Sequence, residues 1–163
     1  MFVRKAAEKD VDAVIEIFSS ARKFMRENGN NIQWAGEYPG KGDVIKDIEL
    51  DRGYVVEEDG TVLGYFCYFI GEDPTYNVMY DGEWLNDLPY GVVHRLAVGS
   101  QSKGVGTFAV NWCFEDCGNL KLDTHRINRP MIGMLTKAGF TKCGIVHVND
   151  ENDPERIAFQ KVK

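Results

Sequence analysis

The residues of this chain best suited to chemistry lie between positions 94 and 112, in the run HRLAVGSQSKGVGTFAVNW. The run reads as a strand, then the turn Gln101-Ser102-Lys103-Gly104-Val105-Gly106, then a helix. Glycines let the backbone turn tightly. The amides that open the helix point outward with the positive end of its dipole behind them, so the turn is a cradle for phosphate. Lys103 and the hydroxyls of Ser102 and Thr107 add contacts to the same group. His94, on the strand before the turn, carries a side chain that exchanges protons near neutral pH. His125, at the end of the next strand, is a second proton-transfer candidate, although a surface or capping role is expected for it.

A rival reading uses the same glycines. Gly104 to Ala109 fits G-x-G-x-x-A, and Asp123 follows about 20 residues on, as a dinucleotide-binding fingerprint requires. Two features oppose it. Residues Gly99 to Lys103 separate strand from glycines, where that fingerprint turns at once, and an antiparallel hairpin upstream breaks the alternating β-α-β register.

These groups must be positioned by the elements around them. A strand at Phe2 to Lys5 precedes a helix capped by Asp10, whose apolar residues Val11, Val14, Ile15, Phe18, Ala21 and Met25 follow a 3.6 period; Asn28-Gly29 ends it. A loop carrying Trp34 and Tyr38 leads to a short helix capped by Asp43. Tyr54 to Glu58 and Thr61 to Ile70 form a hairpin around Asp59-Gly60. Gly71 to Tyr90 is a long loop, a length that usually signals function. The strand Gly91 to Val98, the helix Gly104 to Asp116, the strand Leu120 to Thr124 and the helix Asn128 to Ala138 follow. Strands Phe140 to Val148 and Arg156 to Val162 close the chain around the acidic stretch Asn149 to Glu155, which reads as a solvated hairpin loop. The fold class is α/β (or α+β), a single domain over residues 1–163 with a mixed central sheet flanked by helices.

Composition narrows the partners. Of 163 residues, 44% are hydrophobic and 27% charged, enough to bury a core. The net charge of −6 with no basic block argues against nucleic acid and anionic membranes. No apolar run approaches the ~20 residues of a spanning helix, and the charged N-terminus has no secretion signal. A cytoplasmic location is expected. Cys67, Cys113, Cys117 and Cys143 contain no Cys-x-x-Cys pair, so they are expected to be reduced and mostly buried, with no metal site.

Two motifs together resemble the GNAT superfamily of N-acetyltransferases. Gln101 to Gly106 matches its Q/R-x-x-G-x-G/A turn after the strand Leu96-Ala97-Val98. Asn128, followed by Met131, Leu135, Lys137 and Ala138-Gly139-Phe140, matches its Asn-initiated helix closing on Gly-Phe. The resemblance implies an acetyl-CoA site between two splayed parallel strands, Gly91 to Val98 and Leu120 to Thr124. Backbone groups of Leu96, Ala97 and Val98 would pair with the pantetheine arm. The turn from Gln101 through Ser102, Lys103, Gly104, Val105 and Gly106 to Thr107 would hold the pyrophosphate, and Asn128 and Met131 would meet the arm from the other side. The implied reaction is direct attack of a primary amine on the thioester, with the Leu96 or Ala97 amide as oxyanion donor and His94 as base. His94 is expected on the same strand face as Leu96, and a member of the family has histidine at the matching place. Leu135 stands where members often carry a tyrosine that protonates the leaving thiolate.

The acceptor is sought in the long loop, where Glu72, Asp73, Asp81, Glu83 and Asp87 alternate with Tyr76, Tyr80, Trp84 and Tyr90. Such a loop beside the acceptor channel would attract a cationic amine, small molecule or peptide, and its rings could hold the ammonium by cation–π contact. Trp34, Tyr76 and Trp84 are the expected substrate contacts. Sheet edges leave a homodimer open. A non-catalytic CoA-binding or regulatory module of the same fold, and a small nucleotide-binding oxidoreductase, are the alternatives.

Overall fold

The computed structural model describes residues 1–100 and 102–163. A seven-stranded sheet runs in the order β1-β2-β3-β4-β5-β7-β6. Its strands are β1 (Phe2–Lys5), β2 (Gly53–Glu58), β3 (Thr61–Ile70), β4 (Gly91–Val98), β5 (Asn119–Thr124), β6 (Thr141–His147) and β7 (Glu155–Val162). Among the described residues β4 and β5 are the one parallel pair; every other neighbour is antiparallel. This is the mixed sheet expected, and it excludes the parallel register of a dinucleotide fold.

Helices cover both faces. On one, α1 (Val11–Glu27) and α2 (Lys41–Glu49) bury Val14, Phe18 and Val44 against Val55, Tyr65 and Ala97. On the other, α3 (Val105–Cys117) and α4 (Arg129–Lys137) pack Val110, Cys113 and Leu135 over Phe66, Val93, Leu120 and Leu122. Gly64 lets α3 approach this closely, since a Cβ there would sit 2.8 Å from Val105 Cγ1. A third cluster, around Tyr76, Val92, Val146 and Ala158, lies under the Gly71 to Tyr90 loop.

Two capping expectations shift. Asp10 does not cap α1: a 3-10 turn, Glu8–Asp10, precedes the helix, so Asp10 already has helical angles. Its carboxylate accepts the Ala7 amide at 2.8 Å and both guanidinium arms of Arg4, at 2.8 and 2.9 Å. Asp43 lies one turn inside α2, where it accepts the amide of Gly40, the residue that precedes the helix.

The parallel pair governs the rest. β4 and β5 are in register only at Gly91–Leu120 and Val92–Lys121, and beyond those pairs they diverge. The divergence coincides with a bulge in β4. His94 lies opposite Cys67 and Ala97 opposite Tyr65, so Arg95 and Leu96 face the single residue Phe66. Arg95 takes the left-handed conformation, φ +54°, that is rare for a side-chain-bearing residue. It is held by α2: Arg95 Nε donates to Asp47 Oδ2 at 2.9 Å and Nη2 to Oδ1, while Tyr65 Oη donates to Oδ2 at 2.6 Å. Burial opposes the charge on Arg95, but the hydrogen bonds and charge of Asp47 outweigh it and raise its pKa. Removing one partner of a buried ion pair strands the other, which costs about 3 kcal/mol. Asp47→Ala is therefore expected to lose about that much in urea unfolding; a loss within experimental error would show that the bulge holds itself.

Candidate active site

Two cavities open where β4 and β5 part. One, of about 550 Å³, runs from α1 along Leu96, Ala97 and Val98 to Ser102, Gly104, Val105, Gly106 and Thr107. The other, of about 720 Å³, lies on the far side, lined among others by Trp34, Tyr38, Asp73, His94, Arg95, Asp123 and Thr124. Leu96, Asn128 and Met131 line both, so the two cavities meet at the bulge.

The first cavity has the features of an anion and chain-binding cleft. Gly104, at φ +74°, precedes α3, and the amides of Val105, Gly106 and Thr107 have no backbone partner among the described residues. Three unpaired N–H groups at a helix start with no side-chain cap suit a phosphate. The Ser102 amide is not part of this set, because it donates to the Gly99 carbonyl at 3.1 Å. Lys103 is exposed and does not line the cleft, and Gln101 lies outside the described residues. Past Val92 the β5-facing edge of β4 has no ladder partner, which leaves backbone groups for an extended ligand. Across the cleft Asn128 Oδ1 accepts the Met131 amide at 3.4 Å, and Nδ2 donates to Gln33 Oε1 at 3.1 Å.

The second cavity holds a histidine and two carboxylates, His94, Asp73 and Asp123. His94 Nε2 lies 2.6 Å from Asp73 Oδ2. A carboxylate accepts, so the proton sits on Nε2 and leaves Nδ1 as the basic nitrogen. Asp73 is buried, which alone would raise its pKa, but hydrogen bonds from His94 and from the Thr75 amide and hydroxyl pull it below the usual value. Asp123 behaves oppositely. Burial raises its pKa against the opposing pull of His94 and of the Tyr76 hydroxyl, which donates to Oδ2 at 2.7 Å. Its other oxygen has no hydrogen-bond partner among the described residues.

The sequence profile of the acetyltransferase (GNAT) family matches residues 13–140. The chain belongs to this family. A GNAT-family acetyltransferase from Streptococcus agalactiae, known from its crystal structure, is 30% identical, with a TM-score of 0.90 over 99% of this chain and 95% of that one. Two further structures share the fold alone. Ribosomal-protein-alanine N-acetyltransferase from Brucella melitensis is 17% identical, with a TM-score of 0.68 over 100% of both chains. A GNAT acetyltransferase from Bacillus cereus is 19% identical, with a TM-score of 0.62 over 99% and 96%. No curated protein matches the chain.

This GNAT acetyltransferase departs from several expectations about its site. His94 shares its face with Ala97 rather than Leu96, because the bulge inserts a residue and shifts the two-residue alternation. Trp34 lines the acceptor-side cavity while its ring packs edge-on against Phe18. Tyr76 and Trp84 line neither cavity: Tyr76 is 2% exposed behind Asp123, and Trp84 Nε1 donates to the Tyr76 carbonyl. The cation over Trp84 and Tyr90 is the protein's own Lys121, 4.3 and 3.8 Å from the ring centroids. His125 is fully buried rather than on the surface; Nδ1 accepts the Ile127 amide and Nε2 pairs with Asp153. The acidic stretch before β7 is part of the site, since Val148, Asn149, Asp150 and Glu151 line the second cavity. Leu135, at the tyrosine position, is wholly buried in the core. No group of three or more His, Cys, Asp or Glu could hold a metal among the described residues, and no helix there is long and apolar enough to cross a membrane.

Asp73, Thr124 and the α1 wall were not among the expected site residues. A signal existed for Asp73 alone, as an acid followed by proline and threonine, which favours a tight turn.

The two carboxylates give opposite pH signatures. Asp73 has a depressed pKa, so its contribution is present above about pH 4 and is lost as pH falls through its folded value. Asp123 has a raised pKa, so its ionised form costs stability at neutral pH and the cost disappears in acid. In urea unfolding at pH 7, Asp73→Asn should lower the midpoint and Asp123→Asn should raise it. The Asp123 difference should shrink as pH falls toward about 4 and the Asp73 difference only below about 4; midpoints displaced in the same direction at pH 7 would refute the assignment.

Proposed function

We propose that this GNAT enzyme transfers the acetyl group of acetyl-CoA to a primary amine that itself carries positive charge. The observation that carries the reading is the meeting of the two cavities at Leu96, Asn128 and Met131, one suited to an extended phosphorylated ligand and the other to an amine.

The chain's groups fit the co-substrate of the family. Val105, Gly106 and Thr107 offer free amides to the pyrophosphate, and the unpaired edge of Leu96, Ala97 and Val98 offers strand-like pairing to the pantetheine arm. Acetyl-CoA supplies an activated acetyl thioester. At the bulge the backbone of Arg95 and Leu96 is out of the β3 ladder, so a Leu96 or Ala97 amide can donate to the carbonyl oxygen as charge develops there.

The amine arrives protonated, with a pKa of about 10. His94 Nδ1 takes that proton, and Asp73 holds the ring in the matching tautomer and stabilises its charged form.

Charge in the second cavity selects a cationic acceptor. Its arginines are already engaged: Arg95 bonds Asp47 and the Tyr38 hydroxyl, and Arg156 donates to the Asp153 and Glu155 carbonyls at 2.7 and 2.8 Å. Asp123 keeps one free oxygen, and Glu151 is exposed at the rim. Calorimetry should give micromolar binding of acetyl-CoA, and thiol release should appear with diamines or basic peptides. His94→Ala should cut turnover at least about 100-fold while leaving acetyl-CoA affinity within about twofold. Tight binding with no thiol release across a broad amine panel would favour a non-catalytic CoA module instead.

A further inference from the structure

Breaking the thioester leaves negative charge on sulfur. A hydrogen-bond donor at that sulfur would be strong and useful, since bonds to charged acceptors are roughly twice as strong as neutral ones. Leu135 offers none.

One buried group on this wall has nothing to bond. Thr124, the last residue of β5, is 1% exposed and lines the second cavity, and its Oγ1 has no hydrogen-bond partner among the described residues. An orphaned buried hydroxyl costs about 1–3 kcal/mol, so its retention calls for an explanation.

Its position supplies one. The last β4–β5 pair is Val92 with Lys121, and Thr124, three residues further along β5, lines the second cavity together with Leu96, Asn128 and Met131, the residues at which the two cavities meet. Side chains alternate along β5, so Asp123 turns toward Tyr76, while Thr124 shares the opposite face with Leu120 and Leu122, the face that α3 and α4 cover. Two other side-chain donors near this junction are engaged: Asn128 Nδ2 reaches Gln33, and the Thr75 hydroxyl bonds Asp73.

We infer that Thr124 is a further catalytic residue, whose hydroxyl donates to the sulfur of CoA and stabilises it as a thiolate. The inference rests on the acetyl-transfer reading above. In the step, the neutral amine, its ammonium proton already passed through His94 to solvent, bonds through nitrogen to the acetyl carbon, the carbon–sulfur bond breaks with its electron pair going to sulfur, and the second amine proton goes to the again neutral His94. A threonine hydroxyl does not give up its proton here; it lends a hydrogen bond.

The test uses CoA itself, with and without turnover. The thiol of bound CoA is titrated by its thiolate absorbance in the wild type, Thr124→Val and Thr124→Ser. The expected result is a wild-type thiol pKa lowered by about one unit from the ordinary thiol value, lost in the valine variant and kept in the serine variant. In turnover, Thr124→Val should lower kcat about tenfold with the amine KM unchanged. Its unfolding midpoint should stay level or rise, because an unpaired hydroxyl is removed. A bound-thiol pKa identical in wild type and Thr124→Val overturns the inference while leaving acetyl transfer standing. Failure of the wild type to bind CoA overturns both.

Discussion

The site depends on one residue held in an unfavourable backbone conformation. Arg95 at φ +54° interrupts β4, and for an L-residue that conformation costs about 1–2 kcal/mol. Asp47 offsets the cost. It lies on α2, accepts two guanidinium bonds from Arg95, and also accepts the hydroxyl of Tyr65 on β3. One carboxylate thereby ties a helix, a strand and the bulge together. With the bulge in place β4 cannot follow β5, and the opening between them becomes a cleft with backbone groups exposed on its edge. Without it the alternation of β4 would continue unbroken, and His94 would share a face with Leu96.

A second device is smaller. The residues Asp73 to Tyr76 form a turn in which Asp73 Oδ1 accepts the Thr75 amide, and the 3-10 helix Pro74–Tyr76 completes it. From this turn Asp73 reaches His94 and Tyr76 reaches Asp123. The two carboxylates differ in protonation tendency because their surroundings differ. Asp73 collects three donated hydrogen bonds and is driven toward the ionised form, whereas Asp123 collects one and is driven away from it. Pairs of acids pushed apart in this way are how a fold assigns separate roles to the same chemical group.

Much of the fold was legible in the sequence because its signals are local. The Asp59-Gly60 hairpin, the amphipathic period of α1, the glycine turn before α3 and the Asn128 cap of α4 each depend on a few adjacent residues. The first cavity is lined by such segments, and so most of the residues along it could be named from the sequence. The second cavity could not be read this way. The bulge arises from a contact between residues 47 and 95, and no pattern within β4 announces it. The acidic stretch at Asn149 to Glu155 resembles any solvated turn until β6 and β7 are folded beside β5. The aromatic residues of the long loop have the composition of a cation site, yet Lys121, in the middle of β5, already occupies it.

That internal occupancy changes how selectivity must work. With Lys121 seated on Trp84 and Tyr90, and both cavity arginines committed to the protein, the rings left at the second cavity besides His94 are those of Trp34 and Tyr38. The charges left to act are Asp123, half-buried beside His94, and Glu151, exposed at the rim. Their physics differs. A rim charge works through solvent and is screened beyond a Debye length of about 8 Å at physiological salt, so it governs encounter with the amine more than its residence. A half-buried carboxylate is screened far less, and its free oxygen can be satisfied only by a donor that enters the cavity. Affinity should therefore be set at Asp123 and rate of arrival at Glu151. Under the proposed transfer to an amine, an acceptor with two separated ammonium groups answers both at once, whereas a neutral or acidic amine answers neither.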